Sequence, residues 1–194
     1  MQIIKASANS LIQIGFRLSG GSGSAVVAGH AGIEETLLPV FASLPDDRRL
    51  ASITFTWIKV HGGLVDVRGM VEIAGAAGQN TPNPWPWLTL AAAWAVECGH
   101  ARWQILARPV AGPVYFFSPE ASEAAIKRKG EMEWCGRLGF RIPNHSFRIR
   151  ERDVMTPREL SESNPQYRSR LCQSVSMAPR PLTLAGKSID FRRI

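Results

Sequence analysis

The stretch ASITFTWIKVHGGLVDVRGMVEIA, residues 51–74, carries the clearest secondary-structure pattern in the chain. In its first arm Ile53, Phe55 and Trp57 alternate with serine and threonine, and its second arm alternates in the same way up to Ile73. Alternation with a period of two residues is typical of half-buried β-strands. The glycine pair at 62–63 supplies the positive φ angles that a tight turn needs. The stretch therefore predicts a β-hairpin.

Strand-like patterns recur along the rest of the chain, with two or three helices between them. The predicted strands are LIQIGFRL (11–18), RWQILARPV (102–110), VYFF (114–117) and HSFRIRERD (145–153). Helical spacing predicts helices over 32–44 and from Pro86 to Gly99, and a third helix begins at Ser118-Pro119-Glu120 with a cap, a first-turn proline and an acid. The sequence predicts a mainly β fold, with 1–152 as one domain and 153–194 as a basic, proline-containing extension.

Charge is distributed unevenly over the 194 residues. Residues 1–120 contain 8 basic and 8 acidic residues, whereas residues 121–194 contain 15 basic and 8 acidic residues and so hold the whole net charge of +7. A neutral body with a basic C-terminal third is typical of proteins that face a polyanion.

The start of the chain and its cysteines indicate a compartment. The first residues alternate and lack the apolar block of a secretory signal, and the longest apolar run, LTLAAAWAV, is shorter than the ~18 residues of a membrane span. Cys98, Cys135 and Cys172 are scattered and odd in number, which favours a reducing environment. We expect a virion or cytoplasmic location and no membrane partner.

The strand order over residues 11–117 resembles that of the jelly-roll coat proteins of small viruses, in which an aromatic "T-x-T-W" strand precedes a hairpin and a long proline-containing loop. The resemblance implies an antiparallel sandwich that assembles with copies of itself and packages nucleic acid. Trp57, Trp85 and Trp87 are the candidate self-association residues, because assemblies of this kind bury aromatic side chains between subunits.

Basic residues downstream of the sheet are the candidate nucleic-acid contacts. On a strand, Arg148, Arg150 and Arg152 would share one face at a spacing of ~6.6 Å, close to that of successive phosphates, with Phe147 and Ile149 turned inward. The full predicted set is Lys127, Arg128, Lys129, Arg137, Arg141, Arg148, Arg150 and Arg152. A solvated strand face would show the same pattern.

A second interpretation starts from WCGRLGFRIPN, residues 134–144. Together with the stretches 65–74, 87–99, 102–107 and 122–142, it resembles the second half of the GNAT acetyltransferase fold, which is α+β. That resemblance implies acetyl-CoA at the start of helix 86–98, where backbone N–H groups would hold its pyrophosphate. No catalytic or metal-ligating residue is selected by spacing. The sequence leaves the enzyme question open, leans toward a structural protein, and predicts no cofactor unless the GNAT resemblance holds.

Overall fold

The described part of the chain is mostly helical. The computed structural model describes residues 11–12, 14–17, 32–44, 47–76, 84–116, 118–164 and 167–170. Over these ranges the only sheet is one pair of two-residue strands. The predicted jelly-roll sandwich is therefore wrong, and so is the mainly β fold class.

The helices and strands follow one another in a simple order. The α-helices with defined bounds are α1 (Ile33–Ser43), α2 (Arg48–His61), α3 (Val67–Ala76), α4 (Trp85–Glu97), α5 (Pro119–Lys129), α6 (Glu133–Gly136) and α7 (Pro157–Ser163). Short 3-10 helices cover Gly62–Leu64, Ala101–Ile105 and Glu151–Asp153, and the strands are β1 (Val114–Tyr115) and β2 (Phe140–Arg141).

The stretch predicted as a hairpin forms α2 and α3. Asp47 caps α2 through a carboxylate oxygen that accepts from the N–H groups of Arg49 (2.8 Å) and Leu50 (3.0 Å). Thr54 and Thr56 are buried together with the large apolar residues of α2. The alternation of apolar and polar residues therefore does not separate a buried face from an exposed one, as it would on a strand. Hydroxyl groups on α2 donate back to carbonyls one turn earlier, so the helix accommodates them.

The glycine pair also has a different role from the predicted turn. Gly62 has a φ of −56° and ends α2 within a 3-10 turn, so it needs no left-handed conformation. Its missing side chain matters instead, because a Cβ at this position would lie 2.5 Å from Cδ2 of His100. That imidazole packs over the end of α2, where its Nε2 lies 3.2 Å from the carbonyl oxygen of Lys59.

Tryptophan side chains join α2 to its neighbours in the core. Trp57 is fully buried, stacks on Phe16 with a centroid distance of 6.0 Å, and donates its indole N–H to the carbonyl of Ile14 at 2.7 Å. The indole N–H of Trp94 on α4 donates to the carbonyl of Phe55 at 2.7 Å. Each indole thus contributes apolar area and also satisfies its own donor.

Several predicted helices are confirmed. They are α1, α4 and α5, which lie within one or two residues of the predicted bounds. Ser118 caps α5 by accepting from the N–H of Ala121, and Gly130 ends it with a φ of +77°. Gly99, with a φ of +92°, follows α4 as predicted.

Other strand predictions are wrong. The segment 102–107 contains most of the 3-10 helix Ala101–Ile105, VYFF contributes only the two residues of β1, and 145–153 contains no strand. Of 11–18, residues 11–12 are helical and Phe16 forms an isolated antiparallel bridge with Val154. The closing stretch 182–194, predicted as a hairpin, and the glycine-serine loop at 20–24 lie outside the described residues.

The sheet consists of two parallel strands, and α5 lies between them in the sequence. Val114 pairs with Phe140 and Tyr115 with Arg141, and α5 and α6 make the crossover between the two strands. This small unit is what the structure shares with the GNAT-like α+β alternative. The strand that the alternative needs at 65–74 is replaced by α3, and the one at 102–107 by the 3-10 helix.

The core continues past residue 152. Val154, Leu160 and Tyr167 are at most 2% exposed, and α7 begins with Thr156 and Glu159 in a reciprocal capping box. The predicted boundary at 152 thus falls within the packed part of the chain, whereas residues 171–194 of the predicted extension lie outside the described residues. Among the helices described, none combines the length and the apolar character needed to cross a bilayer.

Candidate nucleic-acid interface

Residues 147–155, called here the 147–155 segment, lie along α2. The backbone N–H of Arg148 donates to the hydroxyl of Ser52 at 3.2 Å. Two residues later the N–H of Arg150 donates to the hydroxyl of Thr56, also at 3.2 Å. Arg150 has an extended backbone, with φ −135° and ψ 95°. The segment is therefore attached to the helix by its main chain at alternate residues.

The two attachments match the repeat of a helix to the repeat of an extended chain. Ser52 and Thr56 are one helical turn apart, a rise of about 6.0 Å. Two residues of extended chain advance by about 6.6 Å. Because these lengths nearly agree, successive hydroxyls on one face of α2 can accept from every second N–H of the segment.

The inward side chains of the segment fill an apolar groove. The ring of Phe147 lies 4.4 Å from that of Phe55, between centroids. Ile149 and Phe147 also line a cavity of about 30 Å³, with Trp94 and Met132 opposite. The inward orientation predicted for Phe147 and Ile149 is thus confirmed, although the segment pairs with a helix and not with a strand.

Polar contacts hold the far end of the segment. Glu151 forms an ion pair with Lys59 at 2.7 Å, and this carboxylate raises the pKa of the lysine. The carbonyl oxygen of Met155 lies 2.7 Å from Nε2 of His61, so this nitrogen carries the proton. His61 is 1% exposed, and its burial lowers its pKa to about 4. The imidazole is therefore neutral at physiological pH.

Four arginines lie on or against α2 between its first turn and Thr56. Arg48 and Arg49 occupy its first turn, and Ser52 connects them to the segment by donating to the carbonyl of Arg48 while it accepts from the N–H of Arg148. Arg150 follows one helical turn further along. We call these four residues the arginine cluster: Arg48, Arg49, Arg148 and Arg150.

The charges of the cluster are partly uncompensated. Arg148 and Arg150 have no carboxylate partner among the residues that the structure describes, and Arg148 is exposed. Arg152, which the sequence places with them, instead lies in a 3-10 turn with its Nε 4.0 Å from a carboxylate oxygen of Asp153. Arg48 and Arg49 are not in the predicted set, because the hairpin predicted over residues 51–74 begins after them. The signal that would have found them is Asp47 as a helix cap.

Arg141 is held by acidic side chains. It forms a two-pronged contact with Glu123, with nitrogen-oxygen distances of 3.0 and 3.1 Å, and a third contact with Glu131 at 2.6 Å. The Arg141 guanidinium lowers the pKa of Glu123, to which Tyr115 also donates at 3.2 Å. Arg141 therefore ties β2 to α5, and the structure does not place it with the arginine cluster.

The remaining predicted contacts lie at helix ends. Lys127, Arg128 and Lys129 form the last turn of α5, where positive charge is stabilised by the helix dipole. Arg137 follows α6 and is exposed. All four basic residues therefore lie at the C-terminal ends of helices.

The three tryptophans predicted for self-association occupy different environments. Trp57 is fully buried, and Trp87 is 9% exposed with its ring 5.2 Å from that of Phe116. Both side chains therefore pack inside the fold. Trp85 is 37% exposed, and among the three it alone presents substantial surface.

The RLGF stretch has a local structural explanation. Gly139 has a φ of +88°, and a Cβ there would lie 3.1 Å from the carbonyl oxygen of Val110 and 3.2 Å from that of Gly112. The glycine is thus required by conformation and by close backbone contact. At the helix start predicted to bind acetyl-CoA, Pro84 precedes α4 and Pro86 lies in its first turn. The proline nitrogens donate no hydrogen bonds there.

The described ranges contain two cysteines, and both are at least partly buried. Cys98 and Cys135 are free thiols, and burial raises the pKa of both, that of Cys98 to about 11. Neither is a thiolate at neutral pH. No group of three or more metal-ligating side chains occurs among the described residues.

Comparison with known proteins gives no relative. No protein-family model, curated protein or solved structure shows significant similarity to this chain.

Proposed function

We propose that this protein binds nucleic acid through its phosphate backbone, at the arginine cluster formed by α2 and the 147–155 segment. The observation that carries the proposal is the attachment of Arg148 and Arg150 to the α2 hydroxyls, which places two arginines with no carboxylate partner among the described residues along the helix whose first turn carries two more. Arginine suits phosphate because its planar guanidinium can donate two parallel hydrogen bonds.

The binding is expected to be independent of base sequence. The cluster lies on a helix start and a segment already attached to that helix, so it presents charge along a surface and offers no free element to insert into a groove. Contacts of this type position a protein on the backbone but do not read bases. The virion-type role and self-assembly stay predictions from the sequence, and the helical fold does not contain the sandwich that the jelly-roll resemblance implied.

The test is a pair of matched double variants. Arg148→Ala with Arg150→Ala should weaken binding to a labelled 20-nucleotide single strand, measured by fluorescence anisotropy, by roughly tenfold or more in moderate salt. The slope of log K against log salt should fall by about 1.4, because two phosphate contacts are lost.

The control removes the same charge elsewhere. Arg102 and Arg108 are both exposed, and Arg102 lies next to Trp103, whose indole N–H donates to Gly62 beyond the far end of α2. That end is about 20 Å from the first turn of the helix. Arg102→Ala with Arg108→Ala should change the affinity much less. Equal losses in the two variants would reduce the effect to overall charge and refute a localised site.

A further inference from the structure

We propose that Ser52 and Thr56 are positioning residues for nucleic-acid binding, which fix the spacing of Arg148 and Arg150 without contacting the ligand. The inference rests on the proposed function and adds the device by which α2 prepares the site. It predicts that two neutral hydroxyls, neither of which contributes charge, determine how tightly a polyanion binds.

Each hydroxyl makes one bond to its own helix and one to the segment. Ser52 donates to the carbonyl of Arg48 at 2.9 Å and accepts from the N–H of Arg148 at 3.2 Å. Thr56 donates to the carbonyl of Ser52 at 2.8 Å and accepts from the N–H of Arg150 at 3.2 Å. The donor bond fixes the direction of the hydroxyl proton, which leaves the oxygen lone pairs facing the segment.

The consequence is a main chain whose position is already set before ligand binds. An arginine on a free loop would lose backbone freedom when it meets a phosphate, and that loss reduces the affinity. Here the hydroxyls on successive turns of α2 hold alternate residues of the segment at about 6.0–6.6 Å. The two guanidinium groups therefore start from fixed points on the surface.

α2 also provides a matched control residue. Thr54 is fully buried two residues before Thr56, and its hydroxyl has no hydrogen-bond partner among the residues that the structure describes. Thr54→Val therefore makes the same chemical change on the same helix without touching the segment. Replacing a hydroxyl without a partner by a methyl group should leave binding unchanged and stability equal or higher.

The experiment compares four variants with the wild type by anisotropy, using the labelled single strand over a salt series. Ser52→Ala with Thr56→Val should raise Kd roughly fivefold with an unchanged salt slope, since no cation is lost. Arg148→Ala with Arg150→Ala should lower the slope, and Thr54→Val should match the wild type. Ser52→Thr with Thr56→Ser keeps both hydroxyls and should restore the affinity.

Hydrogen exchange provides the readout that distinguishes positioning from folding. The amides of Arg148 and Arg150 should exchange faster in the Ser52→Ala, Thr56→Val protein, while the buried amides of α4 keep their protection. If the double variant fails to fold, the two single variants are measured in its place, each with an expected Kd increase of about twofold.

The outcomes separate the inference from the function. Wild-type affinity in the hydroxyl variant, together with weak binding in the arginine variant, overturns the positioning role and leaves the binding surface standing. Wild-type affinity in the arginine variant refutes the binding surface itself. A reduced salt slope in the hydroxyl variant would show that the hydroxyls act through lost cation contacts, which contradicts the inference.

Discussion

His61 shows how one buried side chain connects separate parts of the chain. Its Nε2–H donates to the carbonyl of Met155, its ring packs 5.3 Å from that of Trp57, and its buried Nδ1 has no partner within the described ranges. The N–H of Met155 donates in turn to the carbonyl of Gly15 at 2.7 Å. Protonation of Nδ1 would place a positive charge in this buried site, away from water, and for that reason burial lowers the pKa of His61 to about 4.

The stability of the fold should therefore decrease as the pH falls from about 6.5 to about 4. In that window the unfolded chain binds a proton that the folded chain refuses, so acid favours unfolding, by about 3 kcal/mol at the lower end. Urea unfolding at several pH values in this range measures the change in the free energy of unfolding. His61→Gln should flatten the curve, whereas His145→Asn, at an exposed histidine, should not. A wild-type stability that is constant over the window would contradict this account of His61.

The helix α2 is the element on which the candidate site depends. Its first turn carries two arginines, its middle turns carry the two hydroxyls that hold the 147–155 segment, and its last turn carries Lys59 and His61, which hold the end of that segment. Apolar neighbours surround the remaining faces. Fraying at the start of α2 would therefore loosen the arginine cluster before it loosened the core.

Removal of the α2 cap tests that dependence. Asp47→Ala deletes the acceptor for the N–H groups of Arg49 and Leu50 and should lower the free energy of unfolding by about 1 kcal/mol. Asp47→Ser retains a capping oxygen and should keep most of the stability. Urea unfolding of the two variants measures the difference. Equal loss in both would indicate that the carboxylate charge matters and the cap does not.

At the scale of the whole molecule, late residues close the fold against early ones. Phe16 bridges to Val154, and Arg17 forms an ion pair with Glu159. Further along, Arg170 donates to Glu34 at 2.7 Å and to the carbonyl of Leu64 at 3.3 Å. The carboxylate of Glu34, whose side chain is 8% exposed, also accepts from the N–H of Asp66 at 2.7 Å.

Loss of the Arg170 contact should destabilise the fold, although Arg170 lies near the end of the described chain. Arg170→Ala leaves the buried Glu34 carboxylate without its cation and should destabilise the protein by about 2 kcal/mol. Arg168→Ala changes an exposed neighbour and should stay within about 0.5 kcal/mol of the wild type. Thermal and urea unfolding measure both. Similar stabilities for the two variants would show that the Glu34 contact does not support the fold.

Local signals in the sequence determined part of this architecture and could be read without a structure. Caps and prolines marked α4 and α5, because the chemistry of a helix end depends only on neighbouring residues. The alternation of Phe147 and Ile149 with arginines correctly predicted which side chains face inward. The tertiary structure alone decided whether residues 51–74 form strands or helices. Thr54 and Thr56 are buried among the apolar residues of α2, so the alternation of polar and apolar residues did not mark an exposed and a buried face as it would on a strand. The tertiary structure also brought Ser52 and Thr56 under Arg148 and Arg150, because residues almost a hundred positions apart meet only when the chain folds.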